Sequence, residues 1–452
     1  MNQDLTKGTP SGLIWRFCLP LFFGALVQQL YVLVDSLVAG RFIGEAALAA
    51  IGNAYQVTLL YQALAFGAAM GVSVVVSRRF GAGRCEEIHT TVSTSLIATL
   101  VVCLGLTLIG ILCEDALLRV MRTPADVFLP SRQYLTLYTA GLFPMFCYQI
   151  VLGVFSAMGD AKTPAVFLTL SSLVNIALDL LLVIRFHLGV AGIAWATLIC
   201  QTGSAILALL VLRSRLRAFR SGNDAKAQRF SFPLLGEITH IALPGTLQQL
   251  IVSAGNVLIQ ANVNSFGSGV SAGYAAAIKM NNMAIAALMA FDRGMAAFAA
   301  QNSGANQPDR IRSGRNATIL FSVGFGFVIA VVFLVFRSEL LRLFLRSGSA
   351  EAMQAGGQFF RIVIPFYLIV SVKIACDGML RGLGAMRELL IGTFADLALR
   401  VGCGFLFAAI WGSIGIWSAW PVGWVSGAVL SLVFTAYQLR VIRNSAAVGL
   451  AS

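Results

Sequence analysis

LPLFFGALVQQLYVLVDSLVAG, residues 19–40, carries a single charged side chain, Asp35, in an otherwise uncharged run. A bilayer core about 30 Å thick is crossed by ~20 predominantly apolar residues in a helix. The stretch has that length. It also extends too far past residue 30 to be the short apolar region of a cleaved signal peptide, so it is read as a retained first membrane helix. A carboxylate inside such a helix is costly, and its purpose has to be sought in the rest of the chain.

The 452 residues are 58% hydrophobic and only 11% charged. A soluble domain has roughly 25% charged residues, so most of this chain faces lipid or the inside of a membrane bundle. Breaks at charge, Gly and Pro clusters delimit twelve spans, near 13–39, 50–79, 91–113, 133–158, 164–185, 190–212, 238–264, 272–301, 317–336, 357–380, 389–410 and 414–438. The longest non-apolar segment, LRSRLRAFRSGNDAKAQRF at 212–230, falls at mid-chain. The expected organisation is therefore an N-terminal six-helix lobe over 1–212, a cytoplasmic linker over 213–237 and a C-terminal six-helix lobe over 238–452.

With the N-terminus inside, 19 of the 32 Lys and Arg fall on inside loops and ends, 9 on the outside, and four within spans. That asymmetry predicts cytoplasmic termini. It also accounts for the net charge of +13 without any nucleic-acid partner. The eight Cys are scattered with no Cys-x-x-Cys, which indicates small buried hydrophobes and neither a metal site nor a disulfide framework.

The two lobes repeat. A shift of about 224 superposes Leu19-Pro20 on Leu243-Pro244, Phe42 on Phe266, FGAG (80–83) on SGAN (303–306), SAMGDAK (156–162) on RGLGAMR (381–387), and LGVAGIAWAT (188–197) on WGSIGIWSAW (411–420). Six spans per half make the repeats parallel, related by a pseudo-two-fold axis along the membrane normal. The fold class read here is an all-α membrane protein of transporter type, with its site expected between the lobes near the midplane.

Several charges fall deep in the spans. Lys373 and Asp377 are four apart, as are Asp396 and Arg400, and each pair shares a helix face as an ion pair would. Asp292 adjoins Arg293, and Lys279 lies on the same span. Asp35 and Asp179 differ. Neither has a basic residue within helical reach on its own helix, and each follows a neutral polar residue by four, Tyr31 and Asn175. Gln28 extends the first face. Carboxylates in low dielectric with neutral neighbours resist ionisation, which suits a reversible proton carrier. The same oxygens would suit Na⁺. A hydrogen-bonded structural role is the alternative for either residue.

These residues are similar to a known pattern. The chain resembles the multidrug and toxic compound extrusion (MATE) family of antiporters over essentially its whole length. The resemblance is carried by the first helix (19–50), SRRFGAGR (77–84), SAMGDAKTP (156–164) and the lobe repeat. It implies a first-lobe cation site at Tyr31, Asp35, Asn175, Asp179 and Thr197, for H⁺ or for Na⁺ at Asp35 and Asp179, with a helix kink at Pro20. The fourth-helix position, usually Asn, is Gln149 here. A second-lobe sodium site is not expected: its Tyr position holds Lys373, beside Asp377, and 238–264 has no carboxylate. No cofactor or resident metal is implied.

Amides and Met point to a substrate cavity at Gln28, Gln248, Asn256, Gln260, Asn282 and Met283, with Asp377 and Lys373. Met re-packs around varied shapes, and unpaired amides are costly in hydrocarbon. Small organic, lipophilic and cationic substrates are expected, while Lys279, Arg293 and Lys373 leave room for zwitterions or anions. The expectation is a monomeric efflux antiporter in the bacterial plasma membrane, surrounded by lipid. A lipid-linked saccharide flippase of the same superfamily is the alternative. An enzyme is not expected, since no Asp-rich diphosphate motif or His-Glu-x-x-His occurs; a non-transporting receptor would not require the paired carboxylates.

Overall fold

The computed structural model describes residues 4–38, 43, 45–121, 123–218, 228–345 and 350–449. Among them the chain is helical, and eleven helices are singly long and apolar enough to cross a membrane. A twelfth crossing is bent. In chain order the crossings are α1 (Pro10–Val38), α2 (Glu45–Gly81), α3 (Cys85–Val120), the two-segment α4 (Ala125–Ala140 and Leu142–Ala157), α5 (Lys162–Leu180), α6 (Gly189–Ala218), α7 (Phe232–Asn264), α8 (Ser268–Gly304) and α9 (Pro308–Val335). After a short helix, Arg337–Arg342, follow α10 (Ala350–Val363 and Tyr367–Gly382, joined by a 3-10 turn), α11 (Met386–Trp411) and α12 (Ser413–Gly449). The twelve expected spans are all present.

The α4 segments meet at 51° around Gly141. Pro144 supplies the cause, since it has no N–H to give the Ala140 carbonyl. The segment read as a linker over 213–237 is partly helical: α6 runs on to Ala218 and α7 begins at Phe232, so Glu237 belongs to a helix. It pairs with Arg79 of α2 at 2.7 Å.

Tertiary contacts group the chain into two compact units, Met1–Asp4 with Phe23–Thr246, and Leu5–Phe22 with Leu247–Ser452. The starts of α1 and α7 are thus exchanged relative to the sequence halves. In the first unit a methyl built on Gly71 of α2 would lie 2.9 Å from the Ala242 Cβ of α7. In the second, the same addition to Gly294 of α8 would strike the Cys18 Sγ of α1. Cys18 and Ala242 are 224 apart, so the exchange follows the repeat. The contacts change unit two residues after Pro20 and two after Pro244. Both helices continue through their proline.

Small residues set the packing, as expected where lipid removes the hydrophobic drive between helices. In the second unit, Gly378 and Gly382 of α10 lie against the backbone carbonyls of Asp292 and Ala296 on α8. Gly273 of α8 lies likewise against the Ala352 carbonyl. The N-terminal segment is fastened to the same unit. The Leu5 N–H donates to Gln301 Oε1 at 3.0 Å, and Arg310 donates to the Gly8 carbonyl at 2.8 Å.

Gly382→Leu should force α8 and α10 apart and cost about 1–3 kcal/mol or more. Gly324→Ala, which meets nothing within 4 Å, should change stability by about 0.5 kcal/mol or less. Thermal unfolding of the two detergent-solubilised variants checks the contrast.

Candidate functional site

The first unit holds a stripe of four on α5. Leu168, Ser172, Asn175 and Asp179 are all buried, with Asp179 wholly so, and they follow one another at intervals of four, three and four. That spacing keeps one helix face. The face meets α1 closely: a methyl built on Gly24 would lie 3.2 Å from the Ala165 Cα and 3.7 Å from the Leu168 Cδ1. As the first and fifth crossings, α1 and α5 run parallel.

Counting from that contact, α1 has Gln28, Tyr31 and Asp35 at the same three intervals after Gly24. The spacing of Gln28, Tyr31 and Asp35 along α1 thus repeats that of Ser172, Asn175 and Asp179 along α5. The side chains of Tyr31 and Asp35 lie outside the described residues, so the match is one of helix position. Directly after Asp179 the chain makes a π-helical turn, Leu181–Arg185. Such turns insert a residue and re-aim the helix face.

A second register fixes α6. Cys200 donates its thiol to the Ser171 carbonyl at 3.1 Å. The helices are antiparallel neighbours, so Thr197, three residues before Cys200, comes level with Val174, next to Asn175. Thr197 is half-buried. Gln149 on α4 is half-buried too, while its neighbour Tyr148 is buried. Asn175 Oδ1 makes no hydrogen bond among the described residues. Tyr148 escaped the sequence reading because an isolated aromatic in an apolar span carries no pattern.

The second unit holds a different arrangement. Lys373 Nζ of α10 donates to Asp377 Oδ2 at 2.7 Å and stands 3.8 Å from Asp396 Oδ2 of α11. Arg400 Nε is 3.8 Å from the other Asp396 oxygen, and its guanidinium lies 4.7 Å above the Trp420 ring. Ser431 of α12 donates to Asp377 Oδ1 at 2.5 Å. Arg381 pairs with Asp292 of α8 and donates to Gln248 Oε1 at 3.3 Å; Gln248 donates in turn to Thr393 at 2.9 Å. Three carboxylates thus meet three cations, all at most 9% exposed. Gly423 and Gly427 of α12 make the room, because a methyl at either would run into Asp396 and Arg400, or Lys373.

Asp292 is paired with Arg381 and not with its neighbour Arg293, which is exposed. Arg381, one residue past the expected span 357–380, lies in the last turn of α10 inside the unit. Gln248 has both ends of its amide engaged within the unit. Asn256 and Asn282 are exposed, and Gln260 and Met283 half-buried; Gln260 donates to Asn264 at 2.8 Å. Lys279 is exposed, 5.7 Å above the Phe344 ring. Glu114 of α3, unremarked in the sequence, is a buried carboxylate held by Arg132 at 3.0 Å and Thr136 at 2.8 Å.

The MatE family model matches the chain twice, over residues 20–181 and again over 244–406. The two matches start 224 residues apart, the offset at which the sequence repeats, and together cover most of the chain.

The chain belongs to the MatE family.

Members of this family are transporters and not enzymes, and the apolar crossings make this one a multi-pass membrane protein. The probable multidrug resistance protein YpnP of Bacillus subtilis is 25% identical over 91% of this chain and 92% of its own. The FAD transporter of Shewanella oneidensis is 25% identical over 72% of each. A solved outward-facing structure of a multidrug resistance MATE family transporter of the MOP superfamily shares the fold with a TM-score of 0.91, at 22% identity, over 98% of this chain and 99% of that one.

Removing one member of the second-unit network strands a buried charge, which costs about 3–5 kcal/mol. Lys373→Met should therefore lower stability by that order, and adding Asp377→Asn should recover part of the loss. Denaturation midpoints of the single and double variants test this.

Proposed function

We propose that this MatE protein exports lipophilic, cationic organic compounds in exchange for H⁺ or Na⁺, and that the exchange is coupled in the first unit. The observation that carries the reading is the close approach of the parallel helices α1 and α5 at Gly24, with polar residues at the same spacing beyond it on each. On this reading Asp35 and Asp179 form one cation site with Tyr31, Asn175 and Thr197. Gln149 completes the polar set from α4. Two carboxylates brought together in low dielectric cannot both stay ionised without a cation. A proton or a Na⁺ ion supplies the charge, and a positively charged substrate competes for the same field.

Directional transport then requires the carboxylates to bind the cation more tightly in one state than in the other, because a ligand shifts an equilibrium only by its differential affinity. The lobes alternate between states, with Pro20 as the bend in α1. The names of the Bacillus relatives agree with drug export. A larger anionic substrate is the second reading, supported by the exposed Lys279 and Arg293 on α8 and by the Shewanella relative. Both termini lie in the cytoplasm, which the charge bias of the loops supports, and the protein works as a monomer in the bacterial plasma membrane.

The test is ethidium efflux from proteoliposomes under an imposed pH gradient, then under a sodium gradient. One gradient should drive efflux in the wild type. Asp35→Asn and Asp179→Asn should each lower it about tenfold or more, the ~1.4 kcal/mol or more expected for a lost charge interaction. Full gradient-driven efflux by either variant would refute first-unit coupling.

A further inference from the structure

The second unit has a cavity of about 330 Å³ between the start of α9 and the end of α12. Four arginines line it: Arg312 and Arg315 from the first turns of α9, Arg440 and Arg443 from the last turns of α12. Asp309 is the single acid on the wall. Four guanidiniums against one carboxylate leave a formal excess of three positive charges around one concavity. Arg315 directs Nε and Nη2 to Asn316 Oδ1, at 3.2 and 3.0 Å, a neutral acceptor that leaves its charge uncompensated. Pro308 opens α9 at the cavity edge, so the positive end of a 28-residue helix adds to the field.

The surroundings identify the kind of anion. Within about two turns toward the middle of the membrane, α9 exposes Leu320, and α12 exposes Tyr437 and Val433. An exposed Tyr between apolar residues and a basic cluster is the pattern of a membrane–water boundary. An anion seated among the arginines would have these side chains beneath it, where acyl chains run. Both helix ends lie on the side of the chain termini, the side the loop charges mark as cytoplasmic. Nothing in the proposed transport cycle uses this cavity.

We propose that this cavity is a binding site for the phosphodiester headgroup of an anionic glycerophospholipid of the cytoplasmic leaflet. The guanidiniums hold the phosphate oxygens in paired hydrogen bonds, and the glycerol and acyl portions extend over Tyr437, Val433 and Leu320. Binding there ties the start of α9 to the end of α12. The shared chemistry is a phosphate oxyanion, which a free phosphate could also supply; the acyl contacts favour the lipid.

The experiment uses the full chain in a neutral detergent. Dioctanoyl-phosphatidylglycerol, dioctanoyl-phosphatidylcholine and sodium pyrophosphate are titrated separately, and the rise in melting temperature is followed. Phosphatidylglycerol should stabilise the wild type saturably, and phosphatidylcholine should not. The double variant Arg312→Gln/Arg440→Gln should bind phosphatidylglycerol roughly thirtyfold more weakly, at about fivefold per basic residue near a membrane surface. Arg213→Gln/Arg217→Gln, which removes two exposed charges from the end of α6, should bind as the wild type does. Equal stabilisation by phosphatidylcholine, or equal losses in the two double variants, would overturn the site. Pyrophosphate binding as tightly as phosphatidylglycerol would overturn the lipid and leave a free-anion site.

Discussion

A charge in hydrocarbon must be neutralised, and that constraint organises this molecule. Each unpaired charge near the bilayer centre costs several kcal/mol. The second unit meets the requirement internally: Asp292, Asp377 and Asp396 are matched by Arg381, Lys373 and Arg400. In the first unit the carboxylates Asp35 and Asp179 lie on α1 and α5, two helices that carry no basic residue near them in sequence. The second-unit arrangement is closed on itself, while the proposed first-unit site takes a cation that comes and goes. The repeat makes the contrast plain. At an offset of 224, Asp35 and Asp179 correspond to Ile259 and Cys403, while Lys373, Asp377 and Asp396 correspond to Gln149, Gly153 and Ser172. One scaffold, used twice, has its charges in different places.

Close helix contact is what allows either arrangement. Gly24 lets α1 approach the Ala165 backbone of α5. On α12, Gly423, Gly427 and Ser431 form a stripe at intervals of four, two gaps followed by a donor, and Lys373, Asp396 and Asp377 fill it. Gly378 and Gly382 do the same on α10, on either side of the Arg381 that reaches Asp292. Larger residues at these points would separate the helices and leave the ion pairs too long to offset their desolvation.

Much of this was legible in the sequence. Twelve spans follow from apolar length, the repeat from ordered landmarks, and the Lys373–Asp377 pair from its i, i+4 spacing. The partner of Asp292 was not legible: Arg381 is 89 residues away, and its position at the end of a span resembles a loop residue. Arg293 is adjacent in sequence, yet neighbours in a helix point in different directions. The two partners of Gln248 lie on other helices, at sequence distances that no local spacing reveals. The bend in α4 and the π turn after Asp179 depend on backbone hydrogen bonds that composition does not encode. The exchange of the starts of α1 and α7 between units is a property of tertiary contacts alone.

The division of labour between the units is tested most directly by counting cations displaced when substrate binds. Ethidium is added to the full chain in lightly buffered, sodium-free detergent solution with a pH indicator, and then in a sodium-containing solution with a sodium-selective electrode. The expected result is release of H⁺ or of Na⁺ by the wild type and of neither by Asp35→Asn/Asp179→Asn. Undiminished release by that double variant would place the exchanged cation elsewhere and contradict the first-unit assignment.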